Sequence, residues 1–205
     1  MPHREPKSES APLGRRFQQA LVYAAGLHAR QVKKGSGVPY VAHLLGVAAL
    51  VLEAGGDEDL AIAALLHDAI EDQGHQVDLA RIRKRFGARV AHVVEGCTDA
   101  DTVPKPPWRP RKERYIEHIR READADALLV SAADKLYNAR AILTDFRELG
   151  DAVFARFKGG KQGTLWYYRE LVQAFRGRGK PRRLTDELER VVSELERLAG
   201  APAPD

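Results

Sequence analysis

Between Ala61 and Asp72 the sequence passes from AIAALL, apolar on every side, directly into His67, Asp68, Ala69, Ile70, Glu71 and Asp72. Four ionisable groups within six residues therefore stand at the end of the most hydrophobic segment of the chain. A spacing of four places His67 beside Glu71 and Asp68 beside Asp72 on one helical surface. Burying several carboxylates without compensation costs several kcal/mol, so this helix end must face either solvent or a cation. Taken alone, the group is explained as well by a helix terminus decorated with exposed charge.

Two further residues break an apolar helical pattern in the same way. His43 lies in PYVAHLLGVAAL, just past a glycine-rich turn, and Asp134 lies in ALLVSAADKLYNARAIL, where Leu129, Val130, Ala133 and Leu136 argue for burial. A single buried imidazole is more often a satisfied core residue than a ligand, and a mid-helix Asp more often pairs with Lys or Arg. As a set, two imidazoles and two carboxylates make a mixed nitrogen and oxygen shell suited to manganese, iron or zinc, with positions left for water or phosphate oxygens. Such a shell performs hydrolysis: the cation lowers the pKa of water and polarises a phosphoryl oxygen, while a nearby carboxylate orients or deprotonates the nucleophile.

The elements that must position these residues are helical throughout, and the expected class is all-α, a single-domain bundle. Phe17, Leu21, Ala24, Ala25 and His28 share a face in a first helix that ends before GSGVP at residues 35 to 39. A second helix covers Val41 to Ala54, Gly55 and Gly56 close it, and Asp57 caps a third, the buried one. Leu79, Ile82 and Phe86 mark a shorter helix closed by Gly87, and Val90, Val93 and Val94 another. Residues 99 to 112, DADTVPKPPWRPRK, hold four prolines and are expected as a loop flanking the site or as a mobile surface segment. Helix resumes at Glu113, again over Ala125 to Asp145, after the glycine-rich stretch from Lys158 to Gly163, and over Asp186 to Leu198. That last helix, striped with Leu188, Val191, Val192, Leu195 and Leu198, packs on the body or on a second subunit, which permits a homodimer. The domain is expected over residues 14 to 199, with flexible tails at 1 to 13 and 200 to 205.

Composition narrows the class further. A chain of 205 residues with 44% hydrophobic content buries a core and is not disordered as a whole. The longest apolar run, Leu44 to Leu52, is about half of the ~20 residues a membrane helix needs, and the N-terminus carries no apolar signal region. A soluble, cytoplasmic protein is expected, without a membrane partner. With Cys97 as the one cysteine, an internal disulfide and a four-cysteine zinc site are excluded. A formal charge of +4 permits an anionic partner without requiring one.

The order His43, then adjacent His67 and Asp68, then Asp134 resembles the HD superfamily of metal-dependent phosphohydrolases. The flanking phrases LHARQVKKGSGVPYVAHLLGVA, AALLHDAIEDQ, FGARVAHVVEGCTDADTVPK and ADKLYNARAI are similar to the hydrolase domain of the Rel/SpoT family, in particular its stand-alone small alarmone hydrolases. The resemblance covers residues 15 to 145 at motif level. It implies metal ligands at His43, His67, Asp68 and Asp134, manganese as the metal, and Glu71 and Asp72 as the pair that positions or activates water. The family's reaction removes the 3′-diphosphate of guanosine tetraphosphate or pentaphosphate as pyrophosphate. Substrate-binding groups are implied at Lys33 and Lys34, at Asn138 one turn after Asp134, and at Lys135, which serves the phosphates unless it is plain surface charge. Lys33 stands where an arginine often packs on the base, so planar stacking is lost while charge is kept.

Other readings stay open at this point. A related phosphohydrolase would prefer adenosine alarmones or the 2′-phosphate of NADPH. A nucleic-acid-binding helical protein would use Arg109 to Arg114 and Arg176 to Arg183 and show steep loss of affinity with salt, but it leaves His43, Asp68 and Asp134 unexplained. KGGKQG, at residues 158 to 163, cradles a phosphate or simply starts a helix. Tyr167 and Tyr168 line a nucleoside pocket or simply pack.

Overall fold

A computed structural model of the chain describes residues 13–99, 104–121 and 123–200. The architecture of these residues is all-α: α1 (Arg15–Leu27), α2 (Val41–Glu53), α3 (Glu58–Leu66), α4 (Ala69–Gln73), α5 (Leu79–Phe86), α6 (Ala88–Cys97), α7 (Trp108–Arg121), α8 (Ala125–Leu149), α9 (Gly160–Arg178) and α10 (Arg182–Leu198). A 3₁₀ turn, Gly150–Arg156, joins α8 to α9. Among the described residues the β pairing is one isolated antiparallel bridge, Val32 to Pro39, which pinches the loop between α1 and α2. No helix of the described residues is long and apolar enough to cross a membrane.

Side-chain caps set several helix starts. Asp57 accepts from Leu60 N at 3.1 Å, Asp78 from Arg81 N at 2.8 Å and Asp124 from Ala127 N at 2.9 Å, each satisfying a donor that has no partner inside its helix. Between α5 and α6 the chain turns on Gly87, whose φ of 101° is costly for any residue with a Cβ. Every residue of α3 from Leu60 to Leu66 is buried, and the helix is enclosed by α1, α2, α6 and α8. The 25-residue α8 forms the other axis of the bundle and packs on α2, α6 and α10. A single apolar cluster links residues from Ala20 in α1 to Ala199 after α10.

The structure revises three expectations. The segment carrying His67, Asp68, Glu71 and Asp72 is not one helix end: α3 stops at Leu66, and Asp68, at φ −94° and ψ 0°, starts the separate short α4. The break turns the His67 and Asp68 side chains inward instead of along a continuous surface. The proline-rich segment 99 to 112 is only partly loop, because α7 begins at Trp108. Pro110 is its third residue, within the first turn, where a missing N–H removes no intrahelical bond. The glycine-rich stretch is itself helical from Gly160. Between the two alternatives left open for the last helix, the structure selects packing on the body: the apolar stripe of α10, with Leu184, Leu188, Val192 and Leu195 buried, is covered by α8 and α9 of the same chain. Of the expected tails, residues 1–12 and 201–205 lie outside the described residues, as do 100–103 of the expected loop.

Candidate active site

Three helices deliver their chemistry to one point. α2 presents His43 from its first turn, the break after α3 presents His67 and Asp68, and α8 presents Asp134. His43, His67 and Asp134 are 1%, 2% and 6% exposed, which places them inside the bundle. The two imidazoles meet at Nε2, 3.2 Å apart. Asp68 Oδ2 lies 3.3 Å from His43 Nε2 and 3.1 Å from His67 Nε2, and Asp134 Oδ1 lies 3.3 and 3.6 Å from the same two atoms. One ligand atom each from His43, His67 and Asp134 falls within 4.8 Å of the others, a separation that admits one metal ion.

The chemistry of this donor set fits a cation. His67 Nδ1 bonds to the Ala64 carbonyl at 2.7 Å; since a carbonyl only accepts, Nδ1 carries a proton, and Nε2 is the ring atom that faces inward and takes either a second proton or a cation. Burial disfavours a charged His67, yet the Asp68 and Asp134 carboxylates outweigh that and hold its pKa well above the ordinary imidazole range. Burial likewise works against ionised Asp68 and Asp134, and their cationic surroundings reverse it. His67 and His43 hold Asp68, and Lys135 with the same two rings holds Asp134, well below the usual carboxylate range. The point where the rings and carboxylates converge thus stabilises positive charge.

Neighbouring side chains lock this arrangement. Tyr40 donates its hydroxyl to Asp68 Oδ2 at 2.5 Å. Asn138 Nδ2 donates to Asp134 Oδ1 and Lys135 Nζ to Asp134 Oδ2, both at 2.6 Å. Tyr137 sets its ring edge-on to His43 with centroids 5.1 Å apart, and Lys33 Nζ lies 5.1 Å from the centre of the Tyr137 ring. The ring needs Gly46 beneath it, since a Cβ there would lie 2.0 Å from Tyr137 Cε2.

Glu71 and Asp72 stand on α4 at the rim, partly open to solvent. Lys105 Nζ reaches Glu71 Oε1 at 2.7 Å and Asp72 Oδ1 at 3.9 Å. Arg111, on α7, lies 3.7 Å from Glu71 and pairs with Asp99, to which Lys112 also donates at 2.6 Å. Lys112 Nζ sits 4.7 Å from the centre of the Tyr167 ring, and burial pushes its pKa down. A cationic wall of Lys105, Arg111 and Lys112 therefore stands beside the two rim carboxylates.

Of the residues singled out from sequence, His43, His67, Asp68 and Asp134 meet, Asn138 and Lys135 touch Asp134, and Glu71 and Asp72 share the rim with Lys105. Lys135 is bound to Asp134 inside the protein instead of lying on the surface. Lys33 is half-buried, whereas Lys34 is exposed on the turn. The glycines of the KGGKQG stretch serve packing: a Cβ on Gly159 would lie 2.7 Å from the Trp108 ring and one on Gly163 3.1 Å, while Lys161 pairs with Asp151 at 2.8 Å. Tyr167 and Tyr168 are buried. Tyr40, Gln31, Lys105, Arg111 and Lys112 escaped the sequence reading as individual site residues. Arg111 and Lys112 were hidden in the segment expected to be loop, where basic residues read as solvated charge. A helical count from Trp108 would have put them on its inner side, near Tyr115.

The profile of the HD domain family matches residues 20–165, and the chain belongs to that family. The mouse guanosine-3′,5′-bis(diphosphate) 3′-pyrophosphohydrolase MESH1 is 38% identical over 125 residues, which is 60% of this chain and 66% of the mouse protein. A Synechocystis protein named as a probable guanosine-3′,5′-bis(diphosphate) 3′-pyrophosphohydrolase is 36% identical over 129 residues, 60% of this chain but 16% of that longer protein. Among solved structures, a metazoan ortholog of SpoT, described as hydrolysing ppGpp, superposes with a TM-score of 0.73 at 27% identity, covering 94% of this chain and 100% of that one. A Listeria monocytogenes protein superposes with a TM-score of 0.67 at 30% identity, covering 76% of this chain and 99% of that one.

Proposed function

We propose that the unit spanning residues 14 to 199 is a metal-dependent pyrophosphohydrolase that removes the 3′-diphosphate of guanosine tetraphosphate and pentaphosphate as pyrophosphate. The observation that carries this reading is the convergence of His43, His67 and Asp134 donors within 4.8 Å at a buried point, with an oxygen of Asp68 alongside, in a chain similar to enzymes named for that reaction. In this reading His43, His67, Asp68 and Asp134 hold one divalent cation, manganese by the resemblance, which supplies Lewis-acid stabilisation of charge on a phosphoryl oxygen. Tyr40, Asn138 and Lys135 fix the orientation of the two Asp carboxylates. Glu71 and Asp72 orient the attacking water and accept its proton at a carboxylate oxygen. Lys105, Arg111 and Lys112 match the charge of a polyphosphate, and Lys33, Lys34, Lys135 and Asn138 complete the substrate's surroundings.

Lys33 supports a second reading of the substrate. It keeps a positive charge beside the Tyr137 ring without the flat surface of a guanidinium, which leaves adenosine alarmones or NADPH as competing substrates for the same site.

Metal analysis and turnover measured on the same samples test the roles. His67→Ala and Asp68→Ala lose metal and activity together, whereas Glu71→Ala keeps its metal and slows about 10²- to 10⁴-fold, the range of a lost general base. An Asp68→Ala protein with full metal and full turnover would overturn the assignment.

A further inference from the structure

The loop between α1 and α2 sends two polar side chains to two carboxylates of the His67-to-Asp72 segment. Tyr40 Oη reaches Asp68, and Gln31 Nε2 donates to Asp72 Oδ2 at 2.7 Å. Both start from the same pinched hairpin, closed by Tyr40 N to Gln31 O at 2.9 Å and Lys33 N to Val38 O at 2.8 Å. The Gln31 amide has one possible orientation. Its Oε1 lies 2.7 Å from Gln73 Nε2 and 2.7 Å from His28 Nδ1, and Asp72 as a carboxylate only accepts, so the NH₂ end must face Asp72.

The donation continues backwards. Gln76 Nε2 donates to Gln73 Oε1 at 2.8 Å, so three amides in series, Gln76 to Gln73 to Gln31, all point toward Asp72. Bonds aligned head to tail polarise one another, and the end of the series presents a strengthened donor to one carboxylate oxygen. His28, 2% exposed and stacked on Tyr40 with centroids 5.3 Å apart, braces both donors at once. Asp72 Oδ2 is thereby held on the Gln31 side, and Oδ1 turns toward Lys105.

We infer that Gln31 is a positioning residue, which acts through Asp72 by pinning one oxygen of its carboxylate and aiming the other at the attacking water. The inference rests on the role proposed above for Asp72. Gln31→Leu removes both ends of the amide. Gln31→Glu keeps an acceptor for His28 and Gln73 but sets a second carboxylate against Asp72.

With guanosine tetraphosphate as substrate, both variants are expected to lose about 10- to 100-fold in kcat, the usual cost of an outer partner of a site residue, with KM and metal content within about twofold of wild type. Wild-type kcat in either variant, or a loss accompanied by a KM raised or a metal content lowered more than about twofold, would overturn the inference. A substrate-free measurement keeps it separate from the proposed reaction. The Gln31 side-chain amide protons, followed by NMR, are expected to lie downfield and exchange slowly in wild type, and to move in Asp72→Asn. If the wild-type protein releases no pyrophosphate, the proposed reaction falls on that result. The amide resonance then decides the positioning contact: a shift in Asp72→Asn supports it and an unmoved resonance refutes it.

Discussion

Gly46→Ala perturbs the site without altering any charged or hydrogen-bonding group. Position 46 is inside α2 with ordinary helical geometry, so helix propensity alone favours Ala over Gly by about 1 kcal/mol. Against this, the added Cβ would stand 2.0 Å from Tyr137 Cε2 and 2.5 Å from Cδ2, well inside the ~3.5–4.0 Å at which carbon atoms rest in contact. The ring cannot yield freely. Its hydroxyl donates to the Ala42 carbonyl at 3.3 Å, one edge meets His43, and Lys33 lies over its face. Overpacking costs about 1–3 kcal/mol, and a displaced ring forfeits an aromatic contact of about 0.5–1.5 kcal/mol. The net is a destabilisation of about 0.5–3.5 kcal/mol, or roughly 1–14 °C in Tm for a chain of this size. Calorimetry of Gly46→Ala, Tyr137→Ala and the double variant resolves the sign. In the Tyr137→Ala background the same Gly46→Ala change is expected to be neutral or stabilising. A Gly46→Ala protein more stable than wild type, or one destabilised equally with and without the Tyr137 ring, would refute the close-packing argument.

The caps at Asp57 and Asp124 are each expected to contribute about 1 kcal/mol, lost in Asp57→Ala or Asp124→Ala and measurable by urea denaturation. Burial acts against both charges, but Arg89 with the Leu60 N–H, and the Ala127 N–H with His92, hold the two carboxyls below the usual range. A depressed folded-state pKa means that stability is present above the unfolded value near ~4 and is lost as pH falls through the folded one, so these two variants converge on wild type in acid. Gly159→Ala brings a Cβ to 2.7 Å from the Trp108 ring and is expected to lower Tm by a few degrees and perturb indole fluorescence; an unchanged protein would show that the glycine is not needed for packing.

Much of the bundle was legible because apolar spacing and end signals agree along the chain. Asp57 and Gly87 start and stop helices where their chemistry requires it. The ligand-type residues stood out for the opposite reason: His43 and Asp134 interrupt apolar faces that have no use for polarity. What escaped depended on three dimensions. The break at His67 and Asp68 has no proline or glycine to announce it, and it is set by what the two side chains face. Pro110 read as a helix breaker, although a first-turn proline removes no bond, and that concealed the inward turn of Arg111 and Lys112. Gln31 is an ordinary polar residue in a loop by sequence, and only its place at the end of a series of amides marks it.

The reaction is read directly from its products. The protein, loaded with manganese, is incubated with guanosine tetraphosphate, its adenosine counterpart and NADPH in parallel, with Asp68→Ala as control, and the products are separated by anion exchange. Pyrophosphate and GDP are expected from guanosine tetraphosphate with the wild-type protein, and no release with Asp68→Ala. Pyrophosphate from the adenosine compound alone, or phosphate from NADPH alone, would overturn the substrate assignment while keeping the site. No product from any of the three, or equal release by Asp68→Ala, would refute a metal-dependent hydrolase at this site.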